Sequence, residues 1–243
     1  MDVLIVGAGA VGRWVGDLLD WPVAFVDVDR AQAEAAADTV GDRATSVPLD
    51  GTPATVDLVV IAVPMRVMTE AIHEHAPLAE RAVVDFTGSM QAPLSAMSEA
   101  AADVERTSFH PLFAPEHAPG RVSVSTGVSG PVTDTVCDTL EDAGNELVEV
   151  TPEEHDEAMK TVQGRAHAAI IAFAMAADPV PEGLRTPVFD DLRALADRVT
   201  GNQARVYADI QAVFDGAEDV EMAVSRLAAA DVAEFEALYD DAG

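Results

Sequence analysis

Six histidines are spread over 243 residues, and one of them sits in the stretch "TSFHPLFAPE", residues 107–116. His110 stands directly before Pro111, with Pro115 shortly after. A residue before proline is pushed out of the helical region toward extended backbone, so the stretch predicts a histidine held rigidly at the end of an extended segment. A neutral imidazole fixed in that way is suited to take a proton from a substrate hydroxyl; a capped loop histidine is the structural alternative. Three further stretches carry polar groups at suggestive spacings: "DFTGS" (85–89), "EEHDEAMKTVQGRAH" (153–167) and "RVTGNQARVYADI" (198–210).

Phosphate-binding chemistry is written near the start. In "VLIVGAGAVGRWVG" an apolar run leads into Gly7, Gly9 and Gly12, with Ala10 and Val11 completing the turn into a helix. This is the dinucleotide pattern: the first glycine makes the turn, the second admits a pyrophosphate, and the third lets helix and strand pack closely. The helix N-terminus attracts the phosphates. Asp27 ends the next apolar run, where an acid accepts hydrogen bonds from the adenosine ribose hydroxyls and repels a 2′-phosphate. The cofactor expected is therefore NAD, with nearby Arg30 as the one feature that points toward NADP. Pro64 closes the run "LVVIAVP" and reads equally as a cofactor-edge residue and as a strand terminator.

These groups need a scaffold. Residues 3–6, 23–27, 58–63 and 82–86 are short, apolar and β-branched, as buried parallel strands are. Weaker strands follow near 104–109, 122–126 and 146–150, and helical stretches separate them. The alternation predicts a Rossmann-type, doubly wound α/β sheet over residues 1–150. After Val150 the texture becomes helical. Thr151 and Glu154 form a capping-box pattern opening a helix of about 25 residues, or ~38 Å. Residues 187–200, 202–215 and 218–240 carry helical apolar spacing. Residues 151–243 are therefore expected to form an all-helical domain for substrate binding and dimerisation.

Composition bounds the setting. No run is long and apolar enough to span a membrane, and the acidic start lacks the basic region of a signal peptide, so a cytoplasmic protein is expected. Cys137 is the single cysteine, which leaves no intrachain disulfide. Acids outnumber bases 43 to 14, for a net charge of −29. Nucleic acid would be repelled by such a surface. The acids are distributed along the whole chain, which suits a protein adapted to strong ionic screening. With Lys160 as the only lysine, the composition resembles proteins of salt-loving archaea.

Taken together, the motifs of the last three stretches resemble the prephenate dehydrogenase family. The resemblance implies that His110, in "HPLFAP", takes the substrate's hydroxyl proton, and that Ser89 steers it, with Thr87 as a rival for that role. The family's lysine after this serine is missing here, where the chain reads "SMQAP". His155, Asp156 and His167 match a His-Asp pair followed by a second histidine; the resemblance implies that His167 approaches the substrate, whereas His155 reads as structural, with Asp156 complementing a helix dipole. Arg198, Tyr207 and Asp209 match a third motif, whose arginine binds a substrate carboxylate. A core role for His167 and a helix-end role for Arg198 stay open. His73 and His75 read as solvated. The resemblance further implies a homodimer, NAD as cofactor, no metal, and prephenate or its aminated analogue arogenate as substrate.

Overall fold

A computed structural model describes residues 1–243. The chain divides into two compact units, Met1–Asp156 and Glu157–Gly243. The first is built on one eight-stranded sheet in the order β3-β2-β1-β4-β5-β6-β7-β8. The strands are β1 Val3–Val6, β2 Val23–Val26, β3 Ala44–Ser46, β4 Val56–Ile61, β5 Ala79–Asp85, β6 Glu105–Pro111, β7 Arg121–Val128 and β8 Glu146–Glu149. Strands β1 to β6 run parallel, β7 is antiparallel to β6, and β8 runs parallel to β7. Helices α1 Ala10–Leu18, α2 Arg30–Val40, α3 Met65–His75, α4 Gln91–Ala100 and α5 Pro131–Asp142 connect them.

The near-continuous apolar strands are explained by cover on both faces. Val3 and Ile5 of β1 pack with Val15, Ala33 and Val136 from α1, α2 and α5, while Leu4 and Val6 pack with Met68, Ile72 and Met97 from α3 and α4. The order of the strands places β1 between β2 and β4, so the topological switch lies at β1/β4, where open α/β sheets leave a crevice outside the carboxyl ends of the strands.

The Rossmann-type fold agrees with the expectation, with four local differences. Strand β3 pairs with β2 but is three residues long, too short to leave a periodic signal. His75 is buried, not solvated, and burial lowers its pKa. The capping box at Thr151 and Glu154 forms, with reciprocal bonds of 3.1 and 3.2 Å. It opens α6 Pro152–Met159, and the run expected as one regular helix passes through a π-type segment, Lys160–Arg165, into α7 Ala166–Ala176. The run expected over 218–240 is two helices, α10 Gly216–Ala229 and α11 Val232–Asp241, after α8 Pro187–Thr200 and α9 Ala204–Phe214. Asp231 and Glu234 form a second capping box that starts α11. Helical spacing continues through the break, so it was invisible to periodicity.

Candidate active site

The glycine turn is clamped from below. Gly7 has φ +98°, and a Cβ there would lie 2.3 Å from the Ala62 carbonyl oxygen; one on Gly12 would lie 1.9 Å from that of Gly7. Neither position tolerates a side chain. Gly9 is the opposite case, with open space where a Cβ would stand. Gly9 caps α1 without a side-chain bond, and the first intrahelical acceptor is used by Arg13 N–H, 3.0 Å from Gly9 O. The N–H groups of Ala10, Val11 and Gly12 therefore lack intrahelical partners beside an uncovered glycine. This donor set suits a diphosphate.

Asp27 holds the turn in place. One carboxylate oxygen accepts from Ala8 N–H and the other from Asp29 N–H, both at 2.8 Å. Each oxygen retains a second lone-pair direction, so these bonds are compatible with ribose hydroxyls. Arg30, the residue that pointed toward NADP, is bonded to Glu34 at 2.8 Å. Pro64 is exposed at the end of β4, where it caps α3.

The second group on this edge centres on His110. It lies inside β6, paired with Ser123 of β7, not in a loop. The antiparallel ladder, closed by Leu112 N–H to Arg121 O at 2.9 Å, holds it more than the flanking prolines do. Strand β5 ends at Asp85, opposite Ser108, so His110 projects beyond the end of its neighbour, toward the carboxyl edge. Its Nδ1 is 2.9 Å from His155 Nε2, and His155 Nδ1 is 2.8 Å from Asp156 Oδ1. His110 is 7% and His155 2% exposed, so the contact is sheltered from water. Burial, then the charge of His155, pushes the His110 pKa down to about 3, against the opposing pull of Asp156. At neutral pH the ring is uncharged.

Asp156 is the node of this group. Its oxygens also accept from Met90 N–H at 2.9 Å and Gln91 N–H at 3.1 Å, capping the start of α4. Burial pushes its carboxyl up, but the hydrogen bonds from His155, Gln91 and Met90 outweigh that and hold it below the usual range. The dipole it complements is that of α4, not that of its own helix. The reading of His155 as structural missed the bond to His110, because residues 45 apart in sequence meet only in the fold; the adjacent His-Asp pair was the available signal.

Ser89 is buried immediately before Met90, in the loop that Asp156 pins. Its rival Thr87 donates its hydroxyl to Asp85 at 2.7 Å. Asp85 itself escaped the sequence reading. Burial pushes its carboxyl up to about 7, against hydrogen bonds from Thr87 and Ser108, with Asp156 raising it further.

His167 and Arg198 belong to Glu157–Gly243. His167 meets Tyr207 edge-on, with ring centroids 4.9 Å apart. Its Nδ1 is buried without a hydrogen-bond partner, and burial lowers its pKa, so it offers a neutral dipole and not a positive charge. Arg198 is exposed in the last turn of α8. Its carbonyl accepts from Asn202 Nδ2 at 2.8 Å, and the same amide reaches Tyr207 Oη at 3.5 Å. Tyr207 thus stands between His167 and the turn that carries Arg198. Ile171, Val199 and Tyr207 line an apolar groove beside them.

A mostly parallel sheet with a glycine turn at its switch point and a sheltered histidine on the same edge defines a nucleotide-binding, Rossmann-type oxidoreductase architecture. A family model described as prephenate dehydrogenase, nucleotide-binding domain, matches residues 20–126. A 4-amino-4-deoxyprephenate dehydrogenase of Streptomyces pristinaespiralis is 31% identical over 92% of this chain and 81% of its own length. The chain belongs to the prephenate dehydrogenase family. Two solved structures share the fold. One is the prephenate dehydrogenase of A. aeolicus in complex with hydroxyphenyl propionate and NAD+, with a TM-score of 0.69, 17% identity, and coverage of 93% of this chain and 89% of that one. The other is the Synechocystis arogenate dehydrogenase, with a TM-score of 0.62, 16% identity, and coverage of 99% and 97%.

Proposed function

We propose that this chain catalyses the oxidative decarboxylation of prephenate to 4-hydroxyphenylpyruvate and CO2 with NAD+, a step of tyrosine biosynthesis. The observation that carries the reading is His110, an uncharged, sheltered imidazole on the sheet edge that bears the glycine turn. Prephenate is a cyclohexadiene whose ring carries a hydroxyl and a carboxylate. NAD+, when bound, accepts hydride from the hydroxyl-bearing carbon. His110 takes the hydroxyl proton as negative charge grows on that oxygen, a contribution of about 10²–10⁴ in rate. Ser89 orients the same hydroxyl. Departure of the ring carboxylate as CO2 makes the ring aromatic, so the reaction does not run backward.

Gly7, Gly9, Ala10, Val11 and Gly12 hold the diphosphate, Asp27 the ribose, and Pro64 borders the cofactor edge. The Arg30–Glu34 pair supports NAD over NADP, since it engages the cation nearest Asp27 in sequence. Arg198 grips a substrate carboxylate through its planar fork, and His167 donates or accepts a hydrogen bond at the substrate as a neutral ring.

The working form in this proposal is a cytoplasmic homodimer. Helix α7, "AHAAIIAFAMA", is apolar around most of its circumference, yet none of its residues is buried. Helices of that composition are covered in the native assembly, and a second copy is the cover proposed. No helix is long and apolar enough to cross a membrane.

A second reading comes from the 31% identical relative: a substrate with an amine in place of the ring hydroxyl. Arogenate, aminated on the side chain, is a third substrate to compare. One assay separates them, following reduced cofactor with prephenate, arogenate and 4-amino-4-deoxyprephenate, each against NAD+ and NADP+. Prephenate with NAD+ is expected to show the highest kcat/KM. A higher value with either amine, or with NADP+, would replace that part of the proposal.

A further inference from the structure

The hydrogen bonds around Asp156 run in one direction, and that direction reaches His110. An ionised carboxylate only accepts. Asp156 accepts from Met90 and Gln91 N–H, so the 2.8 Å contact to His155 requires the proton on His155 Nδ1. When His155 is uncharged, its Nδ1–H leaves the lone pair on Nε2. The 2.9 Å contact between that Nε2 and His110 Nδ1 then requires the proton on His110 Nδ1. The lone pair of His110 is thereby assigned to Nε2, the nitrogen turned away from this chain of bonds.

We propose that Asp156, acting through His155, is a positioning residue that sets the tautomer of His110, so that the base always presents Nε2 as its proton acceptor. The inference deepens the function proposed above and rests on His110 being the base. It also gives the buried imidazole a way to carry charge. When Nε2 takes the hydroxyl proton, the resulting cation donates through Nδ1–H to His155, whose own Nδ1–H faces the Asp156 carboxylate. His155 and Asp156, both on α6, bear on the charge of His110; Asp85 at the end of β5 bears on Asp156, and the β7 neighbour Ser123 does not titrate.

An amide at position 156 inverts the pattern. In Asp156→Asn an amide oxygen in the place of Oδ2 still accepts from Gln91 N–H, and the NH2 group in the place of Oδ1 donates to His155 Nδ1, at the cost of the bond from Met90 N–H. His155 then donates from Nε2 to His110 Nδ1, which moves the His110 proton onto Nε2 and blocks the base. Locking an imidazole of this kind in the wrong tautomer costs up to about 10⁴ in kcat in a well-studied triad, and a fall of at least about 10² is expected here. Adding His155→Leu to Asp156→Asn removes the enforced donor and should raise kcat about tenfold over Asp156→Asn alone, a rescue that a merely structural role for Asp156 does not produce.

With six histidines in the chain, 15N-histidine NMR can read the tautomer directly, without substrate or cofactor. His110 is expected as the Nδ1–H form in the wild type and as the Nε2–H form in Asp156→Asn. In His155→Leu, which leaves the α4 cap untouched, a mixture is expected; this variant decides the matter if Asp156→Asn does not fold. An unchanged His110 tautomer in the variants that fold, or a double variant no faster than Asp156→Asn, overturns the proposal. If the wild type oxidises none of the three substrates, the function proposed above fails, while the NMR comparison still decides the tautomer.

Discussion

The two units bury their apolar residues very differently. In Met1–Asp156, the strand residues Leu4, Ile5, Phe25, Leu58, Val60 and Val83 are fully buried, and the sheet is covered on both faces. In Glu157–Gly243 the buried apolar residues are only Met159, Ala196, Val199, Ile210 and Phe214, while Met175, Leu184, Val188, Val232 and Tyr239 are each at least 70% exposed. The first unit completes its core from its own chain. The second is held by a few contacts, such as Arg165 to Asp219 at 2.7 Å and Gln211 to the Gly164 carbonyl at 2.8 Å, and leaves apolar area of the kind that association covers. The proposed chemistry divides in the same way. The proposed base and the nucleotide turn are on the self-sufficient sheet, and Arg198 and His167, the residues proposed to meet the substrate, are on the incomplete helical unit.

Substitutions on the two sides should therefore fail differently. The largest effect is expected for His110→Gln, with kcat down by at least about 10²-fold and NAD+ affinity nearly unchanged. Steady-state kinetics with cofactor titration check it, and near-normal kcat would return His110 to a structural role. Because the ring stays neutral down to about pH 3, the wild-type kcat should show no acidic limb from this histidine between pH 8 and pH 5.

Next comes Arg198→Ala. A charge-assisted bond contributes about 1.5–3 kcal/mol, so the substrate KM should rise about tenfold to a hundredfold while the NAD+ KM stays put. Arg198→Lys should recover part of that, since it keeps the charge but not the fork. An unchanged substrate KM in the alanine variant, with a modest loss in melting temperature, would mean that Arg198 only complements the end of α8.

The incomplete unit should be sensitive to charge. Met175 is 83% exposed on α7; if that surface joins two copies, Met175→Glu should weaken the dimer by roughly tenfold or more, as truncations at well-packed contacts do. Light scattering should show two chains in molar salt and one after transfer to low salt, because a net charge of −29 repels its copy once screening is removed. A monomer under both conditions would remove the contrast drawn between the units.

The last effect is one of stability and is expected in the sheet. Asp85 holds its proton up to about pH 7, against an ordinary value of 3.8. The folded state binds that proton where the unfolded chain has lost it, so the stability from this group is full below pH 3.8 and declines as pH rises through 7. Asp85→Asn removes the decline, which amounts to about 4 kcal/mol at most at 1.36 kcal/mol per unit. The variant should gain several degrees in melting temperature over the wild type at pH 8 and little at pH 4. An equal difference at both pH values would show that Asp85 ionises normally.

Much of the first unit was legible in the sequence because its signals are local. Gly7, Gly9 and Gly12 are constrained by turn geometry within a few residues, the strands by their own apolar runs, and Asp27 by its distance from the turn. His110 stood out through its prolines. By contrast, the partner of His110 is 45 residues away and the N–H groups held by Asp156 are 65 and 66 away. Those contacts depend on how β6 is laddered against β7 and on where α6 begins. The burial that keeps His110 uncharged, raises Asp85 and lowers the pKa of His167 is likewise a property of packing, since desolvation depends on what surrounds a group in space and not on its neighbours in the chain. The sequence by itself determined which residues are able to do chemistry and the sheet that carries them; only the tertiary structure decided which of them touch, and with what charge.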